Sequence, residues 1–142
     1  LPVTISNTPN VALSGTSNSV NNTPSPSSTL GSYSSKGKLI SAATTNATSV
    51  KNSATNIGKI TAENVSASIR YLKLYDKASA PTVGTDTPFH TFALSPSSQR
   101  VLDFPQGLRL TTGFAFAITG AIADTDTTAI AANDVIINFE YN

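Results

Sequence analysis

The sequence predicts an all-β protein: a single antiparallel β-sandwich, jelly-roll-like in topology, that follows an extended N-terminal arm. Three features of the chain lead to this prediction. From residue 38 onward, short runs alternate apolar and polar residues with a period of two, as strands with one buried face do. Turn-forming residues separate about eight such runs, and no segment shows the period of a helix. The length of 142 residues is typical of one domain.

Residues 1–37 form the predicted arm and residues 38–142 the predicted sandwich. The first 35 residues contain no Lys, Arg, His, Asp or Glu and are rich in Ser, Thr, Asn, Pro and Gly. Such a segment cannot bury enough apolar surface to fold alone, so one alternative is a flexible tail. The other is an arm that adds strands to exposed sheet edges of neighbouring subunits. Four apolar residues with the spacing of half-buried strands are the candidate contacts: Val3, Ile5, Val11 and Leu13.

The first half of the predicted sandwich contains four strands. KLISAAT and ATSVKNS are weak strands rich in small residues, and NIGKITAENVS follows them. ASIRYLKLYDK is the clearest strand, and we assign Leu72 and Leu74 to the core. Tyr71 and Tyr75 then lie on the outer face, where amphipathic rings suit a contact between subunits. The alternative is that both are ordinary half-exposed strand residues.

The second half of the predicted sandwich begins after the loop SAPTVGTDTP. PFHTFALSP and QRVLDF are the next strands, and a turn at residues 105–107 separates QRVLDF from LRLTT. GFAFAITG carries a face of Ala and Thr that is small enough for another sheet or subunit to approach closely. After the long loop IADTDTTAIAAND, the run DVIINFEY places four residues on one face: Val135, Ile137, Phe139 and Tyr141.

The composition argues against several classes of partner. Only 12% of the residues are charged, about half the usual share. The net charge is +1 and the nine Lys and Arg residues are dispersed, so nucleic acid is not an expected partner. No stretch approaches the ~20 apolar residues that span a bilayer, so a membrane is not expected either. A surface with so few charges is one that other protein covers.

No motif in the chain indicates catalysis. His90 is the only histidine and has no His or Cys partner for a zinc site, so we expect an ordinary strand histidine. Asp124 and Asp126 are the only close acidic pair, and two alternatives remain open for them: calcium ligands or Asx turns. Phosphate-binding, dinucleotide-binding and nucleophile-elbow motifs are absent from the sequence. We therefore predict no catalytic residues, no metal, no cofactor and no enzyme activity.

Two blocks of the chain resemble small virion proteins of tailed bacteriophages. These blocks are RYLKLYDKASAPTVGTDTP and FPQGLRLTTGFAFAITGAIADTDTTAIAANDVIINFEY. The resemblance covers about residues 51–142 and leaves residues 1–35 unmatched. It implies a virion structural component, and in particular a jelly-roll-like capsid decoration (cement) protein.

The resemblance also implies partners and a location. Cement proteins of this kind commonly form homotrimers on the outer surface of an icosahedral head and bind the major capsid protein of neighbouring capsomers with arms. The arm residues would then bind the capsid, and Tyr71 and Tyr75 would join the bodies of the trimer. The first alternative is a tail-fibre or tail-tip domain that binds a host surface receptor, for which we expect exposed aromatics near residues 86–90 or 124–128. The second is a small depolymerase or lysin, which no motif supports.

Overall fold

Eight β-strands make up the fold in the computed structural model, which describes residues 33–142. Their bounds are β1 Ser35–Ile40, β2 Thr48–Lys51, β3 Thr55–Asn64, β4 Arg70–Asp76, β5 His90–Leu94, β6 Ser98–Leu110, β7 Phe114–Thr119 and β8 Val135–Tyr141. The first strand begins at Ser35, three residues before the sequence places the start of the sandwich. Residues 33–142 contain no helix with the length and hydropathy that crossing a bilayer requires.

The strands form two four-stranded antiparallel sheets. The first sheet has the order β1-β8-β3-β6 and the second the order β2-β7-β4-β5. The pairs β1·β8, β2·β7, β3·β6 and β4·β5 are each hydrogen-bonded, as if one long hairpin had been wrapped around a common core. This pairing is that of a jelly roll. The predicted antiparallel β-sandwich is therefore confirmed.

The core lies between the two sheets and is formed by the alternating residues that the period of two predicts. Leu72 and Leu74 are fully buried, as expected. The expected face of β8 also points inward, and its Phe139 ring makes an edge contact with Phe114 at 5.5 Å between centroids. A Cβ at Gly37 would overlap the Phe139 ring, so this glycine on the neighbouring β1 provides the space that the ring fills.

Strand β6 is longer than the sequence indicates. The predicted turn at residues 105–107 does not end a strand, because QRVLDF and LRLTT both pair with β3. The register shifts between Ile57 and Lys59 of β3, opposite residues 104–107, so the irregularity is accommodated as a bulge. Gly107 has φ +83°, a conformation that favours glycine. The separation into two strands was therefore wrong: Pro and Gly mark a bulge here.

Candidate interaction surfaces

The outer face of the second sheet is buried beneath the chain's own loops. Lys73 and Tyr75 of β4 lie beside Ala117 and Ala115 of β7 in the sheet register. All four are buried, although they point away from the main core. All six residues of β7 are buried, which means that both faces of this strand are covered. The small Ala face therefore does allow a close approach, but what approaches is the chain itself.

Two connections contact each other and cover this face: the β4–β5 loop, residues 77–89, and the β7–β8 loop, residues 120–134. A Cβ at Gly84 would lie 2.6 Å from Cγ2 of Thr127, so the two loops touch at a position that only glycine fills easily. The φ of Gly84 is +87°, which favours glycine for a second reason. Within the first loop, Lys77 and Asp86 form a salt bridge. The loops are thus fixed to the sheet and to each other.

Lys73 secures the β7–β8 loop from below. Its side chain is 0% exposed, and Nζ donates a hydrogen bond of 2.5 Å to the carbonyl oxygen of Ala123. Burial lowers the pKa of Lys73, and the carboxylates of Asp126 and Asp124 act in the opposite direction. A buried amine needs such partners, because an unpaired charge in the interior is costly.

The Asp124–Asp126 segment supports the Asx-turn alternative in its local geometry. Asp126 accepts a hydrogen bond from the backbone N–H of Thr128, two residues on, as in an Asx turn. It also accepts hydrogen bonds from the backbone N–H of Ala121 at 3.0 Å and from Oγ1 of Thr128 at 2.6 Å. Both carboxylates interact with the buried ammonium of Lys73, whose positive charge would repel a cation. Among residues 33–142, no group of three or more His, Cys, Asp or Glu side chains is placed to hold a metal ion.

Of the two tyrosines assigned to a subunit contact, the structure corrects the assignment of Tyr75. Tyr71 is half-buried on the outer face of β4, level with Ala93 and Thr119, and stays a candidate. Tyr75 is on the expected outer face, but only 2% of it is exposed, because Val83 and the loops cover it. A side chain that its own chain covers cannot contact a partner. The arm candidates, Val3, Ile5, Val11 and Leu13, lie outside the described residues.

Most of the outer face of the first sheet is exposed in the part of the chain that the structure describes. Strands β1, β8, β3 and β6 place three rows of four residues on this face, and ten of these twelve residues are exposed. The first row crosses the sheet with alternating charge: Lys36, Glu140, Lys59 and Asp103. The other rows include half-exposed apolar residues, among them Ile40 and Val101, each 50% exposed. Sequence patterns do not reveal this face, because its residues come from four distant strands.

The free edge of β5 carries a row of aromatic rings. His90 lies between Phe89 and Phe92, with ring centroids 5.0 and 5.6 Å away. The guanidinium of Arg100 from β6 stands 5.4 Å above the Phe92 ring and donates a hydrogen bond to the carbonyl of Ala93. Phe89 is 37% exposed. This row lies in the region where the receptor-binding alternative predicts exposed aromatics.

The N-terminal segment enters the body at an anchored residue. Tyr33 precedes β1, and its ring occupies the space that a Cβ at Gly58 of β3 would take. Its hydroxyl lies 2.6 Å from the position of a Cβ at Gly107 of β6. Two glycines on neighbouring strands therefore form a socket for the ring. The chain is fixed to the first sheet at residue 33, before its edge strand begins.

No protein-family model matches the chain, and no curated protein sequence matches it. A solved structure of the Tobacco streak virus coat protein is similar, with 15% identity and a TM-score of 0.34 over 80% of this chain and 90% of that chain. A structure of the dimer of that coat protein has 15% identity and a TM-score of 0.31 over 74% of this chain and 84% of that chain. The fold assignment depends on the observed strand order.

Proposed function

We propose that this protein is a virion structural protein, a capsid decoration (cement) protein on the outer surface of an icosahedral phage head. In this role the jelly roll is the body, and the N-terminal arm binds the major capsid protein of a neighbouring capsomer through Val3, Ile5, Val11 and Leu13. The bodies associate as a homotrimer, for which Tyr71 remains the candidate contact. Neither nucleic acid nor a membrane is a partner in this proposal.

The main support for the proposal is that the N-terminal segment is held firmly where it joins the jelly roll, at Tyr33. In a protein that bridges two capsomers, the arm must be firmly attached to the body, because otherwise its contact with one capsomer does not restrain the other. The Tyr33 socket provides this attachment, because the ring is held between Gly58 and Gly107 on two neighbouring strands. A charge-free arm suits the role as well, since apolar contacts and strand pairing persist at salt concentrations that screen ion pairs.

The energetic basis of the proposal is added interface. A standard protein interface buries on the order of 1,600 Å² and must be broken before the joined subunits separate. Many copies that each bridge two capsomers make modest affinities collectively strong. The resemblance of residues 51–142 to phage virion proteins supports this class of function.

Deletion of residues 1–32 tests the proposal, because Tyr33 and every strand are retained. Occupancy on purified particles should fall sharply for the deletion variant, while its thermal unfolding midpoint should stay close to that of the full chain. The quadruple substitution of the arm candidates by Ser should reduce occupancy similarly. Unchanged occupancy in both variants would contradict an arm that binds the capsid.

The second candidate function is that of a tail-fibre or tail-tip domain that binds a host surface receptor. The aromatic row favours it, since Phe89 and His90 are exposed and such rings stack well on sugars and apolar ligands. Under this alternative, particles carrying Phe89→Ser should adsorb to host cells more slowly at unchanged particle stability. Normal adsorption together with normal assembly would exclude it.

A further inference from the structure

The two outer faces of the sandwich differ in how far the described chain covers them. The β4–β5 and β7–β8 loops bury the outer face of the second sheet so fully that Lys73 and Tyr75 are almost inaccessible. On the first sheet, ten of twelve outward residues are exposed. A contact between bodies that uses a broad sheet face therefore has the first sheet available to it.

The charge row on this face is self-complementary. From β1 to β6 its signs alternate as Lys36 positive, Glu140 negative, Lys59 positive and Asp103 negative. A two-fold axis parallel to the strands, placed between two such faces, reverses the order of the strands in the second copy. Lys36 then faces Asp103 of the second copy, and Glu140 faces its Lys59. Every charge in the row meets the opposite sign.

We propose that the outer face of the first sheet is an isologous contact surface for a second copy of this chain, with Lys36 opposite Asp103 across the two-fold axis. The proposal rests on the proposed function and adds to it a contact that joins bodies in pairs. This contact is separate from the homotrimer contact proposed for Tyr71, because it lies on the opposite sheet. Symmetric, self-complementary patches are the usual form of two-fold contacts.

The size of the face sets the expected strength of this contact. Twelve residues a side are fewer than the 20–30 of a standard interface, so pairing should be weak for the isolated protein. Ion pairs between exposed groups add little affinity, but they determine register and partner orientation. On a particle, weak pairing adds to the contacts of the arm, because linked contacts raise one another's effective concentration.

Lys36 and Asp103 allow a test that separates contacts between copies from contacts within one copy. They lie on the two edge strands of the sheet, three strand spacings or about 14 Å apart, and cannot pair within one chain. Lys36→Glu places two negative charges opposite each other in the pair, and Asp103→Lys places two positive charges there. Each variant alone should associate about ten-fold more weakly than the unmodified full chain.

The decisive sample is an equimolar mixture of the two variants. In a mixed pair, Glu at position 36 of one chain faces Lys at position 103 of the other, and the second contact keeps its original Asp103 and Lys36. Association measured by analytical ultracentrifugation should therefore return in the mixture, and it should weaken as salt is raised. Ile122→Glu and Ile122→Lys, which add a charge of either sign at an exposed position on the loop over the other sheet, are the controls and should leave association unchanged. Thermal unfolding verifies that each variant is folded.

Two results would overturn the proposal: a mixture that associates no better than the single variants, or an unmodified chain that stays monomeric at millimolar concentration. Restoration of binding in the mixture would support it, because no contact within one chain is repaired there. The particle experiments are independent of this outcome. A deletion variant that keeps its occupancy would contradict the role of the arm while leaving the pairing intact.

Discussion

The substitution whose effect on stability follows most directly from the structure is that of Asp76. Asp76 ends β4 and ties that strand to the turn between β6 and β7. Its carboxylate accepts hydrogen bonds from the backbone N–H groups of Thr111, Thr112 and Gly113 at 2.9, 2.7 and 3.1 Å, and from the Thr111 hydroxyl at 2.9 Å. Desolvation by the neighbouring turn raises the pKa of Asp76, but these four hydrogen bonds outweigh it and lower the pKa from 3.8 to about 2.

The magnitude follows from this difference in pKa. At about 1.4 kcal/mol per unit, the shift corresponds to at most about 2.5 kcal/mol of preference for the ionised form in the folded state. The side chain is exposed, so solvent screening reduces this to about 1 kcal/mol. Asp76→Asn also turns an amide N–H₂ toward N–H donors, which removes at least one hydrogen bond. We expect a loss of about 1–2 kcal/mol in the free energy of unfolding at pH 7.

The pH dependence gives a second, independent readout. Because the folded-state pKa of Asp76 is below the unfolded value of 3.8, its contribution is complete above about pH 4 and is lost as pH falls toward 2. Urea unfolding at several pH values should show a steeper decline for the unmodified protein than for Asp76→Asn over this interval. Glu63→Gln, which removes an exposed carboxylate on the first sheet, is the matched control. Equal declines for the unmodified protein and Asp76→Asn would refute the reasoning.

Three further substitutions test the packing of the two sheets by thermal or urea unfolding. Tyr75→Phe should leave stability unchanged or raise it by up to about 1 kcal/mol, because the buried Tyr75 hydroxyl has no partner among the described residues; a loss above 1 kcal/mol would show that it is bonded. Gly37→Ala should destabilise by about 1–3 kcal/mol, since the new methyl group would overlap the Phe139 ring, and an unchanged midpoint would contradict that packing. Lys73→Met should destabilise by about 1–2 kcal/mol and increase proteolysis of the β7–β8 loop, because the Ala123 carbonyl loses its donor; an intact loop would argue against this anchor.

The strands could be predicted from the sequence because alternation is a local property. The runs around Leu72, Phe116 and Ile137 each show the period of two, and each became a strand with the expected inward residues. The bulge in β6 could not be predicted, since Pro105 and Gly107 are typical of a turn as well. Only the pairing of β3 with both halves of the strand distinguishes the two.

The surfaces were harder to predict than the core, for a physical reason. The sequence places Tyr75 on the outer face of β4, and this is where it lies. Whether that face meets solvent or protein depends on how two long loops pack, and loop packing has no periodic signature in the sequence. The charge row of the first sheet likewise exists only through the register of four strands.

The central claim, a cement role on a phage head, is tested most directly by a cryo-EM reconstruction of intact particles that contain this protein. The account predicts jelly-roll density on the outer surface of the head, at the junctions between capsomers. Continuous density from the Tyr33 end of each body should reach a neighbouring capsomer. Density confined to a tail fibre or tail tip, or bodies without any connection to a second capsomer, would contradict it.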